Sequence, residues 1–206
     1  FLLEIPLIKT EINFALYTWL QSIAVILVYQ GDRLFISHLF GLAALSYYSI
    51  VATLFNHIHM GLSALTPWLF PQIVKAQQKG KQFVENLYTN VRNVGIVLSV
   101  VLLLCFSLIS APLISLWLGS AVFQEIETTL KWFTIFQFFF IFSIAPYFFM
   151  NASGREKLNL KLVLMFTSLN VLGMLGGYFY LHSVEGILMG LSATTAIAML
   201  MMHYKI

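Results

Sequence analysis

The sequence predicts an all-α, polytopic membrane protein with six transmembrane helices. Of its 206 residues, 60% are hydrophobic and only 9% are Asp, Glu, Lys or Arg, whereas a soluble domain carries about 25% charged residues. The longest stretches without a charged side chain are residues 12–31, 34–74, 93–124, 132–154, 162–184 and 186–204. Each has about 19 residues or more, enough for a helix to cross roughly 30 Å of hydrocarbon. None shows the alternation of a β-barrel strand, so helices must satisfy the backbone hydrogen bonds.

Glycine and proline set the expected helix ends. Gly41 breaks the chain after the first helix, and Pro67 and Pro71 end the second, because proline stops or kinks a helix. Gly119 is expected to cap the third helix, and Pro146 to kink the fourth. The six helices are expected over about residues 13–40, 43–70, 94–118, 130–150, 158–180 and 186–203.

Residues 74–92 form the only sizeable polar segment. Apolar side chains recur in it at helical spacing, which predicts a short helix lying at the membrane surface. These apolar residues are Phe83, Val84, Leu87 and Val91. The basic Lys79, Lys81 and Arg92 are then expected to face anionic head groups. An ordinary basic connector explains the same composition.

The basic residues predict the orientation, because Lys and Arg accumulate on the cytoplasmic side. One side of the expected topology holds Lys9, Lys75, Lys79, Lys81, Arg92, Arg155, Lys157, Lys161 and Lys205. The other side holds only Lys131, and Arg33 lies within a span. Both termini of this segment are therefore expected in the cytoplasm.

Asp32 and Arg33 are the first candidates for function, because an ionisable residue within a membrane helix is unfavourable unless it has a role. Gln30, Arg33 and Ser37 fall roughly on one helix face, which could line a hydrated cavity. Arg33 would offer a planar charged fork to a phosphate or carboxylate. The structural alternative is that each charge pairs with a neighbouring helix, or that Arg33 extends to the interface.

The second expected helix adds polar candidates at spacings of three and four residues. Asn56, His59 and Ser63 could face the same cavity as Arg33. Their structural alternative is hydrogen bonding between helices.

Other intramembrane features are interpreted as structural. The amides of Gln21, Gln137 and Asn170 are expected to bond across helices. Small residues four apart, at 173 and 177 and at 186 and 190, predict close helix packing.

The composition disfavours several functional classes. The chain has no paired carboxylates in a polar loop, no glycine-rich phosphate loop and no HExxH motif, so we expect neither an enzyme nor a cofactor or metal. The basic residues are dispersed, which argues against nucleic acid as a partner. The single Cys105 excludes an intrachain disulfide.

Four segments of the chain, taken in order, point to a known family. Residues 31–50 read Gly-Asp-Arg-Leu-Phe-Ile-Ser-His-Leu-Phe-Gly-Leu-Ala-Ala-Leu-Ser-Tyr-Tyr-Ser-Ile. This segment resembles the seventh-helix pattern of bacterial polysaccharide flippases of the Wzx type. The likeness continues at 69–72 (Leu-Phe-Pro-Gln), 111–119 and 151–155. It covers nearly the whole chain from about residue 13.

This resemblance implies the fold of the multidrug/oligosaccharidyl-lipid/polysaccharide exporters, with twelve helices in two lobes. The chain is then the C-terminal lobe of a longer protein, its partner the N-terminal six-helix lobe. The implied activity is movement of an undecaprenyl-diphosphate-linked oligosaccharide across the membrane for O-antigen or capsule synthesis, in contact with membrane lipids and glycan polymerase machinery. By the same resemblance, Arg33 would meet the glycan or the diphosphate.

Two other functions fit the sequence. One is a transporter of the same fold with another cargo, either a drug/cation antiporter, for which Asp32 is the available carboxylate, or a lipid II flippase. The other is a non-transporting scaffold for glycan assembly enzymes, which needs no hydrated cavity.

Overall fold

A computed structural model describes the backbone of residues 5–204 and the side chains of residues 12–204. Regular structure throughout this part of the chain is helical. Seven helices are formed: α1 (Ile5–Ala64), α2 (Leu69–Lys79), α3 (Lys81–Leu118), α4 (Ser120–Ile141), α5 (Ile144–Ala152), α6 (Glu156–Leu181) and α7 (Val184–Tyr204). The side chain of Lys9 and all of Lys205, both used in the orientation argument, lie outside what is described.

Helix α1 is divided at Gly41. Its 60 residues would extend about 90 Å if straight, three times the hydrocarbon thickness. Gly41 has φ 81° and ψ −178°, which glycine adopts readily because it lacks a Cβ. We call residues 5–40 the first arm and residues 42–64 the second arm. Side-chain contacts between the arms show that they lie antiparallel.

Five helical segments are long and apolar enough to cross a membrane. They are Ile12–Ala64, Lys81–Leu118, Ser120–Ala152, Glu156–Leu181 and Val184–Tyr204. The protein is therefore an all-helical, multi-pass membrane protein. The sequence predicted six transmembrane helices, and that number is reached only if each arm of α1 crosses the membrane separately.

The polar segment 74–92 was predicted to form one short surface helix, but the structure divides it between α2 and α3 at Gly80. Amphipathic α2 buries Leu69, Ile73 and Ala76 and ends at Gly80, whose φ is 113°. The following residues, from Lys81, already belong to α3, which continues without a break into the apolar span. Polar residues can form a helix as well as apolar ones, and nothing in the sequence after Gly80 interrupts it. The polar residues from Lys81 onward therefore form the first turns of α3, which begins well before residue 94.

The fourth predicted helix also has different limits. Helix α4 begins at Ser120, directly after Gly119, and not near residue 130. The break before α5 falls at Phe142 and Ser143, whose N–H groups bond to carbonyls three residues back. Pro146, four residues after Phe142, has no N–H to donate to the Phe142 carbonyl, which explains the position of the break.

Helices α6 and α7 pack at backbone distance through four glycines, as their spacing predicted. A Cβ at Gly177 would lie 1.9 Å from the carbonyl oxygen of Gly186, and one at Gly190 would lie 1.9 Å from that of Gly173. The core that these helices share with α4 and α1 is apolar and rich in aromatic rings.

Candidate functional site

Asp32 lies buried between the two arms of α1. The residue is only 8% exposed. Oδ2 accepts a short hydrogen bond from the hydroxyl of Tyr48 on the second arm, and Oδ1 accepts one from the Arg33 backbone N–H at 2.7 Å. Asp32 precedes Gly41 by nine residues, so it lies about 14 Å along the helix from the hairpin bend. The carboxylate is thus held within the span by neutral donors.

Arg33 is adjacent to Asp32 in sequence but does not form an ion pair with it. Its Nη2 donates to Thr53 Oγ1 at 3.2 Å, while Nε is buried and has no acceptor among the described residues. The two ion pairs of the described chain are helical-surface pairs elsewhere. A guanidinium inside a membrane span without an anionic partner is unfavourable unless water or an anion reaches it.

The other candidates of the predicted polar face do not converge on Arg33. Gln30 is exposed, and Ser37 and Asn56 are half-buried. None of the three makes a side-chain hydrogen bond to another residue within 12–204. The structure therefore gives Asp32 and Arg33 separate partners on the second arm and does not bring Gln30, Ser37 or Asn56 to them.

His59 lies apart from the Arg33 contact. It is 5% exposed and stacks on Phe140, with ring centroids 4.5 Å apart and an interplanar angle of 19°. The ring of Tyr29 approaches it edge-on at 5.7 Å. Tyr29 precedes Arg33 by four residues, or about 6 Å along the helix. His59 and Ser63 line a cavity of about 370 Å³ at this level, between both arms, α4, α5 and α6.

Two partners of the charged pair were missed in the sequence. Tyr48 and Thr53 hold the side chains of Asp32 and Arg33, yet they resemble any tyrosine or threonine of an apolar helix. Only the expected break at Gly41 indicated such contacts. A tight hairpin brings together residues that lie at similar distances before and after its turn.

The isolated amides behave in two ways. Gln21 donates to the Glu156 carbonyl at 2.8 Å and accepts from the Asn159 amide at 3.2 Å, which confirms its predicted role between helices. Asn170 accepts from Thr195 at 3.1 Å, which confirms the same role between α6 and α7. For Gln137 the prediction is wrong within the described residues, because neither amide atom of this buried side chain has a partner.

Comparison with known proteins identifies the family. The profile of a family described as polysaccharide biosynthesis protein matches residues 2–127, more than half of the chain, including the site at Asp32 and Arg33. No curated protein and no solved structure gives a significant match. The chain, an all-helical protein with several apolar spans, therefore belongs to the polysaccharide biosynthesis protein family.

Proposed function

We propose that the chain is the C-terminal six-helix lobe of a Wzx-type flippase of the bacterial inner membrane. Its cargo is an oligosaccharide repeat unit linked to undecaprenyl diphosphate, for O-antigen or capsule. Support comes from the polysaccharide biosynthesis family, from the membrane-spanning helices and from the four-segment resemblance. The partner is an N-terminal lobe of similar size, and the two lobes rock about a central path.

The observation that carries this proposal is the unpaired guanidinium of Arg33. Arg33 lies within a candidate span, its Nη2 bonds across to the second arm of α1, and this bonded partner, Thr53, is neutral. A diphosphate carries the negative charge that such a group needs, and the planar fork of arginine binds phosphate oxygens bidentately. On this proposal the cargo supplies the anionic acceptor that the described residues do not offer to Arg33 Nε.

The path that this transport requires follows from the physical properties of the cargo. Sugars cannot enter hydrocarbon, so they need a hydrated path between lobes, whereas the polyprenyl chain stays in lipid. The basic residues of α2, of the start of α3 and of the turn before α6 favour placing these ends in the cytoplasm, where the cargo enters. No bond is made or broken, so the proposal requires neither a catalytic residue nor a cofactor.

The test replaces Arg33 in the full-length protein. In cells lacking the native copy, Arg33→Ala is expected to lower surface polysaccharide at least roughly tenfold, and Arg33→Lys less, because an ammonium keeps the charge but loses the fork. Binding of undecaprenyl diphosphate to the purified variant in lipid nanodiscs should weaken in the same order.

Lys131→Ala is the control, because Lys131 is exposed and pairs with Glu127 at 2.7 Å on the surface of α4. Wild-type polysaccharide in both Arg33→Ala and Asp32→Asn would remove the site assignment. Normal export in cells without the protein would refute the flippase itself.

A drug/cation antiporter is the second candidate, favoured by one observation. The Asp32 carboxylate is buried and makes no ion pair with a described basic residue, so it could exchange a proton or a cation. Uptake of a small organic cation into proteoliposomes that follows an ion gradient and stops in Asp32→Asn would favour this function. Loss of polysaccharide in the same variant without such transport favours the flippase.

A further inference from the structure

A second candidate site lies beside the Arg33 site, in the cavity lined by His59. Its volume of about 370 Å³ lies within the roughly 300–1,000 Å³ of small-molecule sites. Both arms of α1 and helices α4, α5 and α6 form its walls. The lining residues that carry the argument are Tyr29, His59, Ser63, Phe140, Ser143 and Tyr147.

Several polar groups of this cavity have no partner in the protein. Some serines and threonines of the described chain bond to the carbonyl four residues back, as Ser99 and Thr134 do. The hydroxyls of Ser63 and Ser143 make no hydrogen bond to a described residue, and neither does that of Tyr29. The Nδ1 atom of buried His59 is also without a partner. Polar groups in an apolar surrounding need a partner, so the cavity calls for water or a polar ligand.

Aromatic rings form the rest of the wall. His59 and Phe140 stack, and Tyr29 meets Phe140 edge-on with centroids 5.5 Å apart. Phe166 of α6 stacks on the other side of Phe140 at 5.8 Å. The lining contains no Asp, Glu, Lys or Arg. Rings together with uncharged hydroxyls suit a sugar, whose hydroxyls form hydrogen bonds and whose C–H face packs on an aromatic ring.

We propose that this cavity binds one neutral glycosyl residue of the cargo, the sugar next to the diphosphate held at Arg33. This inference rests on the proposed function. Its geometry follows from the first arm, where Tyr29 and Arg33 are one helical turn apart, about 6 Å along the axis. A diphosphate at Arg33 thereby places its attached sugar at the mouth of the cavity. An acyl or prenyl chain would leave all the unpaired polar groups unsatisfied.

The experiment compares two probes on the full-length protein in nanodiscs. One is undecaprenyl diphosphate, and the other is the lipid-linked oligosaccharide extracted from the cells that produce the protein. Wild type should bind the glycosylated lipid roughly tenfold more tightly, because a site built for hydroxyls discriminates against a ligand without them. Ser63→Ala, Ser143→Ala and His59→Phe should each lower this ratio about threefold to tenfold, and leave binding of undecaprenyl diphosphate unchanged.

Two control variants lie outside the cavity. Ser168→Ala removes a hydroxyl that bonds to the Leu164 carbonyl. Tyr178→Phe removes one near the other end of α6, where the ring packs on Phe35 and Phe40. Both variants should keep the wild-type ratio. The serine variants lose a single oxygen each, and their melting temperatures verify that they are folded.

The outcomes separate this inference from the proposed function. Equal binding of the two probes by wild type, or a ratio unchanged in all three cavity variants, would overturn the sugar site. Arg33→Ala should weaken both probes equally and preserve their ratio. Wild-type binding of both probes by Arg33→Ala, with the ratio still sensitive to Ser63, would instead contradict the diphosphate assignment and keep the cavity.

Discussion

At the scale of single residues, the charged pair shows how adjacent side chains on a helix can have separate partners. Consecutive helical residues do not face each other, so Asp32 reaches Tyr48 and Arg33 reaches Thr53. Neither partner carries a charge. The carboxylate is satisfied by hydroxyl and backbone donors, whereas the guanidinium retains a buried Nε without an acceptor. On the proposed function, this asymmetry favours Arg33 over Asp32 as the position that meets a ligand.

Tyr48→Phe tests the support of Asp32. It removes the hydroxyl that donates to Oδ2 and leaves a buried acceptor without its partner, which costs about 1–3 kcal/mol. We expect a lower melting temperature of the purified protein in detergent. Tyr47→Phe is the matched control, because Tyr47 is the neighbouring residue and is exposed. Equal melting temperatures for the two variants would contradict the contact.

At the scale of helices, glycine has two distinct uses in this chain. Gly41 adopts a positive φ, so the chain can reverse there and stack the two arms of α1. Gly177 is in regular helix and is instead required by space, because the backbone of α7 occupies the position of its missing Cβ. The same residue type therefore shapes one helix pair through conformation and another through contact.

Adjacent glycines of α6 provide a test of the close contact. In Gly177→Ala the new methyl would lie 1.9 Å from the Gly186 oxygen, so α6 and α7 must separate, at about 1–3 kcal/mol. In Gly176→Ala nothing lies within 4 Å of the new Cβ, and alanine stabilises a helix by up to about 1 kcal/mol. The melting temperature should therefore fall for Gly177→Ala and not for Gly176→Ala. Equal melting of both variants would contradict the packing.

At the scale of the whole molecule, the two arms of α1 are antiparallel, as are α6 and α7, and the turns between the helices differ in charge. The ends near α2 and before α6 carry most of the basic residues, and the turn at Gly119 precedes an α4 surface with Glu125 and Glu127. The rule for basic residues then predicts that the α2 end is cytoplasmic.

Sided labelling tests this orientation. In a Cys105→Ser background, single cysteines replace Gln78 of α2 and Ser120 of α4, both exposed residues. A membrane-impermeant maleimide should label Ser120→Cys in intact spheroplasts, and Gln78→Cys only after the membrane is opened. The reverse pattern would invert the topology, and labelling of both from outside would show that the α2 end is not enclosed.

The candidate site was predictable only in part. Asp32 and Arg33 are conspicuous in the sequence because a charge within an apolar stretch requires a reason. His59 was identified as polar, but its place in an aromatic cavity with Tyr29 and Phe140 depends on contacts between four helices. Ser143 gave no signal, because its helix break arises from Pro146 three residues further on.

The sequence by itself determined that this chain is helical and crosses a membrane several times, because hydrophobicity and the backbone's need for hydrogen bonds act locally along the chain. It also determined the glycine contact of α6 with α7 through regular spacing. Only the tertiary structure decided that Asp32 and Arg33 do not pair, that α3 starts at Lys81, and that His59 lines a cavity with unpaired hydroxyls. These features depend on which helices contact each other and on how far they are shifted along their axes. A periodic apolar pattern in the sequence does not specify either.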